Sequence, residues 1–97
     1  MKYIIFAVLA LFSFNAAAGI TKQDMCESDE ALARSIMSAR QNGVPIAEVM
    51  KIIKDDKWQQ YVLLAYEESM FVSEEFKNRA INEYANAAYM VCMKQGK

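Results

Sequence analysis

Two cysteines, Cys26 and Cys92, stand near opposite ends of the chain and are its full complement. With two, only one connectivity is possible, and a bond between them would close nearly the whole folded segment into one loop. Such a cross-link is worth roughly 4 kcal/mol through the loop entropy removed from the unfolded chain. A small domain is held by a net ~5–15 kcal/mol, so the bond would dominate what this chain can fold into. The alternative is a pair of buried, reduced thiols. The compartment decides between them, and the N-terminus speaks to the compartment.

Lys2 supplies a short positive start, Tyr3 to Phe12 is an unbroken apolar run, and Ser13 and Asn15 dilute it before Ala16-Ala17-Ala18. This is the three-part layout of a secretory signal: a charged end, an apolar core of roughly 7–15 residues and an A-x-A cleavage site. Ala16 and Ala18 fill the two small-residue positions, which places the cut between Ala18 and Gly19. The expected organisation is a signal peptide at 1–18 and a helical domain at 19–97, periplasmic or secreted. No cysteine follows the cut directly, which removes the lipoprotein pattern. A second reading stays open, because Tyr3 to Ile20 carries no charge and is just long enough to remain as a signal anchor. In the cleaved reading no stable membrane insertion remains. An even cysteine count in a short exported chain then favours the Cys26–Cys92 disulfide.

Removing 18 residues from 97 leaves 79, enough for one small domain. Losing Lys2 takes the net charge from −1 to −2, and the remaining basic residues are scattered. That is no nucleic-acid footprint. The chain has no histidine. Ser-His-Asp and Cys-His arrangements and the H-E-x-x-H zinc motif are therefore impossible, and two isolated thiols cannot complete a zinc site. Carboxylates do cluster, at Glu27 with Asp29 and Glu30, at Asp55-Asp56, at Glu67-Glu68 and at Glu74-Glu75. Most fall in first turns or on polar faces, where helix caps and solvated acids belong. Glycoside hydrolysis needs two carboxylates across a cleft, and so short a chain leaves little room for one. The expectation is a protein that is not an enzyme, with no catalytic residue, no cofactor and no metal.

Strand-like alternation is absent, and breakers are few: Gly43, Pro45, then nothing before Gly96. Apolar residues recur at helical spacing in every segment, which predicts an all-α, four-helix domain stapled by one disulfide. Helix one starts near Lys22, with Thr21 as N-cap and Asp24 three residues on, or later, with Ser28 as cap and Asp29 and Glu30 in its first turn. In the longer version Asp29 falls within the apolar stripe. The later start is the preferred explanation; otherwise Asp29 needs a cation such as Arg34, Arg40 or Arg79. The stripe is Met25, Leu32, Ile36 and Ala39, with Ala33 and Met37 beside it. Gly43 suits the left-handed residue that ends this helix, and Pro45 suits the first turn of a short second one. Ile46, Val49, Met50 and Ile53 are its stripe.

Asp56 with Gln59 fits a capping box at the start of helix three. Trp58, Tyr61, Val62 and Ala65 form its stripe, while Leu63, Leu64 and Tyr66 occupy its other sides. A helix apolar almost all round is expected at the centre of the bundle. Ser73 caps helix four, with Glu74 and Glu75 at the positive end of its dipole. Its core stripe is Phe76, Ala80, Tyr84, Ala87 and Val91, bordered by Ile81, Ala88 and Cys92.

Methionine fills cores and adaptable binding surfaces alike. Met25, Met37, Met50 and Met90 are expected in the core. Tyr89 and Met93 point away from helix four's main stripe, and Met70 with Phe71 closes helix three at an exposed loop. Tyr66, Met70, Phe71, Tyr89 and Met93 are therefore the candidate partner surface. It would face an envelope protein or a second copy of the chain.

Cys26, the run Arg40-Gln41-Asn42-Gly43-Val44, Ala65-Tyr66-Glu67 and the closing Tyr89 to Cys92 resemble a set of small exported proteins of bacteria and their phages. Those proteins share an N-terminal cysteine, an R-Q-x-G-V turn, an A-Y-E segment and a final Y-x-x-C. The resemblance covers nearly all of the mature chain and implies export and a disulfide. The group carries no assigned activity, so it supplies no catalytic residue. In size, compartment and two-cysteine helical build the chain is also similar to periplasmic acid-stress chaperones. Cys26 followed by Glu27, Asp29 and Glu30 matches their early cysteine and acids, although the two cysteines here are farther apart.

No motif specifies a reaction. The leading expectation is a small exported protein that acts by binding another protein, as an inhibitor or exclusion factor if phage-borne. The alternatives are a stress chaperone that exposes its Met and aromatic surface on opening, and a membrane-tethered lysis regulator using residues 3–20 as anchor. Protein recovered from an expressing Gram-negative cell is expected to begin at Gly19 by mass spectrometry. An intact Met1 in the membrane fraction identifies the anchored form instead.

Overall fold

The computed structural model describes residues 20–95. The expected signal peptide at 1–18 and the expected cut between Ala18 and Gly19 lie outside them. Four helices follow in order: α1 (Lys22–Gln41), α2 (Ile46–Ile52), α3 (Asp56–Glu67) and α4 (Glu74–Lys94). Among the described residues there is no strand, so the all-helical, four-helix expectation holds.

Local chemistry explains each boundary. The Thr21 hydroxyl accepts from the Asp24 amide at 3.1 Å, and the Asp24 carboxylate accepts from the Thr21 amide at 3.3 Å. This reciprocal box satisfies two donors that the first turn leaves unpaired. The later start at Ser28 is thereby corrected. Asp29 lies inside the helix, and its cation is Lys57 of α3 at 3.9 Å, not an arginine. Gly43 takes φ +80°, the left-handed turn that lets the Val44 amide reach back to the Ala39 carbonyl. The α3 cap falls one residue earlier than expected: the Asp55 carboxylate accepts from the Trp58 amide at 3.1 Å. Gln59 instead donates to the Ile53 carbonyl at 2.9 Å. Ser73 caps α4 by accepting from the Phe76 amide, with Glu74 and Glu75 following it.

Cross-helix contacts give the directions. Cys26 bonds Cys92, Arg34 bonds Asn82, and the Gln41 carbonyl accepts from Lys77, so α1 and α4 run antiparallel along their full lengths. Asp29 meets Lys57 and Arg40 meets the Glu68 carbonyl, so α3 lies parallel to α1. The short α2 packs against both α1 and α3. Helix α1 makes the most extensive contacts, packing against α2, α3 and, most of all, α4. The expectation of a central helix three is corrected: Leu63 and Leu64 are 41% and 55% exposed, and only one side of α3 is covered.

The interior has two parts. Ile36, Met37, Val49, Val62 and Ala65 form a cluster where α1, α2 and α3 meet. Between α1 and α4 lies a seam of small residues, with Cys26, Ala33, Ala85 and Ala88 all buried. Small side chains let the two backbones approach, and the Cα atoms of Cys26 and Cys92 stand 5.5 Å apart, within the usual disulfide range. Met25 and Met90, expected in the core, are exposed because they lie off this seam. Among the described residues, no helix is long and apolar enough to cross a membrane.

The bond spans a sequence separation of 66 and joins the first turns of α1 to the last turns of α4. Reduction is expected to lower the melting temperature by about 20 °C, from ~4 kcal/mol of lost cross-link in a domain this small. Circular dichroism with and without reductant checks it, alongside thiol labelling that finds no free thiol in the native monomer.

Candidate functional site

Helix α4 has more apolar circumference than α1 can cover. At about 100° per residue, Ile81, Ala85, Ala88 and Cys92 share the arc that meets α1. Phe76, Ala80, Ala87 and Val91 share a second arc roughly 120° further round, with Tyr84 between the two. The second arc was expected to be core. Phe76 and Val91 are instead 46% and 43% exposed, and Ala87 is exposed too. The physical reason is that α1 packs against the alanine side of α4, leaving the larger side chains on its flank. Helix α3 has 12 residues against the 21 of α4, about 18 Å against about 32 Å, so it cannot cover that flank along its length.

The uncovered flank lines a groove of about 280 Å³, with Met37 of α1, Phe71, Phe76, Ala80, Tyr84 and Ala87 in its walls. One buried residue organises it. Gln41 is 1% exposed; its side-chain amide donates to the Ser69 carbonyl at 2.8 Å and its side-chain oxygen accepts from the Phe71 amide at 2.8 Å. Its own carbonyl accepts from Lys77. Gln41 thus ties the end of α1 to the α3–α4 loop and to α4, and holds Phe71 with its ring centre 6.0 Å from that of Phe76. The Tyr84 hydroxyl donates to the Tyr61 carbonyl, and the two rings meet edge to face at 6.3 Å. Burial first, and then the nearby Tyr61, push the Tyr84 hydroxyl well above the ordinary tyrosine range, so it remains a donor.

Charge collects on the rim. The Arg79 guanidinium lies 5.2 Å over the Phe76 ring and pairs with exposed Glu75 at 3.8 Å. Glu68 and Glu83 also line the groove, both exposed, and among the described residues neither pairs with a cation. Two carboxylates therefore border one cleft, but both stand in water and the cleft between them is largely aromatic and aliphatic. That arrangement lacks the enclosed acid of a glycosidase pair. Among the described residues, no group of three or more Cys, Asp and Glu side chains is placed to hold a metal.

The five candidate surface residues fall into two groups. Tyr66 is half-buried, its hydroxyl donating to the Val44 carbonyl at 2.6 Å and its ring under Arg40 at 5.4 Å. Burial raises its pKa; Arg40 opposes this. Met70 is 51% exposed beside Gly43, and Phe71 is half-buried in the groove wall. Half-buried Tyr89 and exposed Met93 lie at the other end of α4, where Lys22 donates to the Met93 carbonyl at 2.8 Å. Between Phe76 and Met93 the helix runs about 25 Å. Of the five, only Phe71 lines the groove. The residues that sequence reasoning missed are Gln41 and the outer arc of α4. The arc's signal was in plain view, since the stripe and its border together span about 160° of the helix, more than α1 alone covers, whereas Gln41 has its partners far along the chain.

A second groove, about 260 Å³, runs between α1 and α2 and is lined by Leu32, Ile36, Val44, Val49 and Ile53, with Ile52 at its lip. Comparison with protein-family models, curated proteins and solved structures finds no match for the chain.

Replacing Gln41 with leucine would leave the Ser69 carbonyl and the Phe71 amide without their partner. A hydrogen bond contributes a net ~0.5–1.5 kcal/mol, so Gln41→Leu, which removes two at a partly buried site, is expected to lose about 1–3 kcal/mol in urea denaturation. A loss under about 0.5 kcal/mol, the range of ordinary surface changes, would show that the tie is not needed.

Proposed function

We propose that this is a small exported protein, not an enzyme, that acts by binding another protein through the outer arc of α4. The observation that supports it is the apolar row Phe76, Ala80, Ala87 and Val91, which follows helical spacing yet is left open by the domain's own packing. Met90, 54% exposed, extends it on one side. Single exposed apolar residues are ordinary, but a continuous row beside a groove is the mark of a contact surface. The disulfide suits an oxidising compartment, which agrees with export. The lack of histidine argues for binding over catalysis. In a phage setting, such a domain would serve as an inhibitor or exclusion factor.

The test is photo-crosslinking in the envelope of an expressing cell. A photoreactive phenylalanine placed at Ala87 or Met90 is expected to give a discrete covalent adduct, identifiable by mass spectrometry. The same probe at exposed Asn86, on the polar side of α4, is expected to give none. Val91→Glu should abolish the Ala87 adduct while moving the melting temperature by only a few degrees, since Val91 is already in water. If neither Ala87 nor Met90 yields an adduct, the arc is not a contact surface.

A further inference from the structure

The groove has a chemical polarity that selects its occupant, an inference that rests on the binding role proposed above. Its volume of about 280 Å³ lies just below the ~300–1,000 Å³ of drug-sized ligand sites. It suits one or two anchoring side chains. Its floor is apolar and aromatic, from Met37 and Tyr84 to Phe71 and Phe76. The charged groups nearest that floor are Glu68, Glu83 and Arg79. Arg79 is already engaged, stacked on Phe76 and paired with Glu75. Arg40 and Lys77, the other cations nearby, are engaged too: Arg40 donates to the Glu68 carbonyl and lies over Tyr66, and Lys77 donates to the Gln41 carbonyl. Glu68 and Glu83 line the groove, and among the described residues neither is in an ion pair.

We propose that this groove receives an amphipathic helix of a partner protein that sets a large apolar side chain on the floor and lysine or arginine beside it, opposite Glu68 and Glu83. Helix-in-groove recognition places such anchors one turn apart on a single face. A cation next to the anchor then meets a carboxylate as the apolar side chain enters. Pairing with a second copy of this chain is disfavoured by the same charges. An isologous contact through the groove presses together two copies of one lining whose unpaired charges are all acidic. An anionic lipid surface meets the same repulsion.

The experiment uses the oxidised, exported protein, labelled with 15N, and three synthetic helical peptides. The peptides share one Leu/Phe stripe and differ only in flanking lysine, glutamine or glutamate. The lysine peptide is expected to bind about tenfold more tightly than the glutamate peptide at low salt, the preference shrinking as salt rises. Its amide shifts should centre on Phe71, Phe76, Ala80 and Ala87. Glu68→Lys/Glu83→Lys is expected to reverse the preference, and the milder Glu68→Gln/Glu83→Gln to erase it, with helical content unchanged in both. Equal binding of all three peptides, or shifts centred on Ile52 and Ile53 in the α1–α2 groove, would overturn this assignment while leaving a protein-binding role intact. Self-association that shifts the same groove residues without peptide would overturn it in favour of a dimer. Loss of the envelope crosslinks, by contrast, removes the binding role itself.

Discussion

The closeness of α1 to α4 is the constraint on which the rest of this structure depends. The disulfide joins the first turns of α1 to the last turns of α4 with Cα atoms 5.5 Å apart, which, with each Cα about 2.3 Å from its axis, holds the two axes within about 10 Å there. Small side chains keep the helices at that spacing along the seam. The seam accordingly carries Ala33 on α1 and Ala85 and Ala88 on α4, each almost wholly buried. Bulk at any of these positions would lever the helices apart and strain the bond. Covalent and steric terms here specify the same register. The Arg34–Asn82 and Lys77–Gln41 hydrogen bonds continue that register to the far end.

A seam made of alanines displaces the larger apolar residues to its sides. On one side, Ile36 and Met37 of α1 are covered by α2 and α3, and the main cluster forms there. On the other, α4 presents Phe76 and Val91 to solvent. The groove is therefore a consequence of the seam and not a separate device. What gives it shape is polar: Gln41 reaches out of the end of α1 and pins the backbone at Ser69 and Phe71. The aromatic wall then stands on a fixed loop. Such preorganisation reduces the ordering cost that a binding surface must otherwise meet on association.

Much of the fold was legible because its local signals agree with its tertiary contacts. Thr21, Gly43 and Ser73 act at the helix ends where their chemistry points, and the two cysteines pair as their number allows. The misplaced core residues share one cause, which is reading burial from side-chain size. Met25, Met90, Phe76 and Val91 are large and apolar, so periodicity assigns them to the core. Packing instead chose the alanines, whose small hydrophobicity hides them in any pattern weighted by size. Asp29 misled in the opposite sense, since its partner Lys57 lies on another helix and no local rule reveals it. Gln41 was invisible as a structural element for the same reason: its partners lie about thirty positions on.

Leaving an aromatic and a valine half in water has an energetic meaning in so small a domain. Full burial of each would contribute about 1.5–3 kcal/mol, so the open arc forgoes up to roughly half of that for each residue. Two such residues together amount to a few kcal/mol, against a total stability of ~5–15 kcal/mol. The cross-link contributes ~4 kcal/mol, which is the same order as what the arc forgoes. A reduced form of this chain would have to recover that amount from its core, and Phe76 and Val91 are the nearest source. The staple and the open groove are then two sides of one arrangement. Because the seam and its cross-link hold α1 to α4, the domain's own packing leaves the outer apolar face of α4 uncovered.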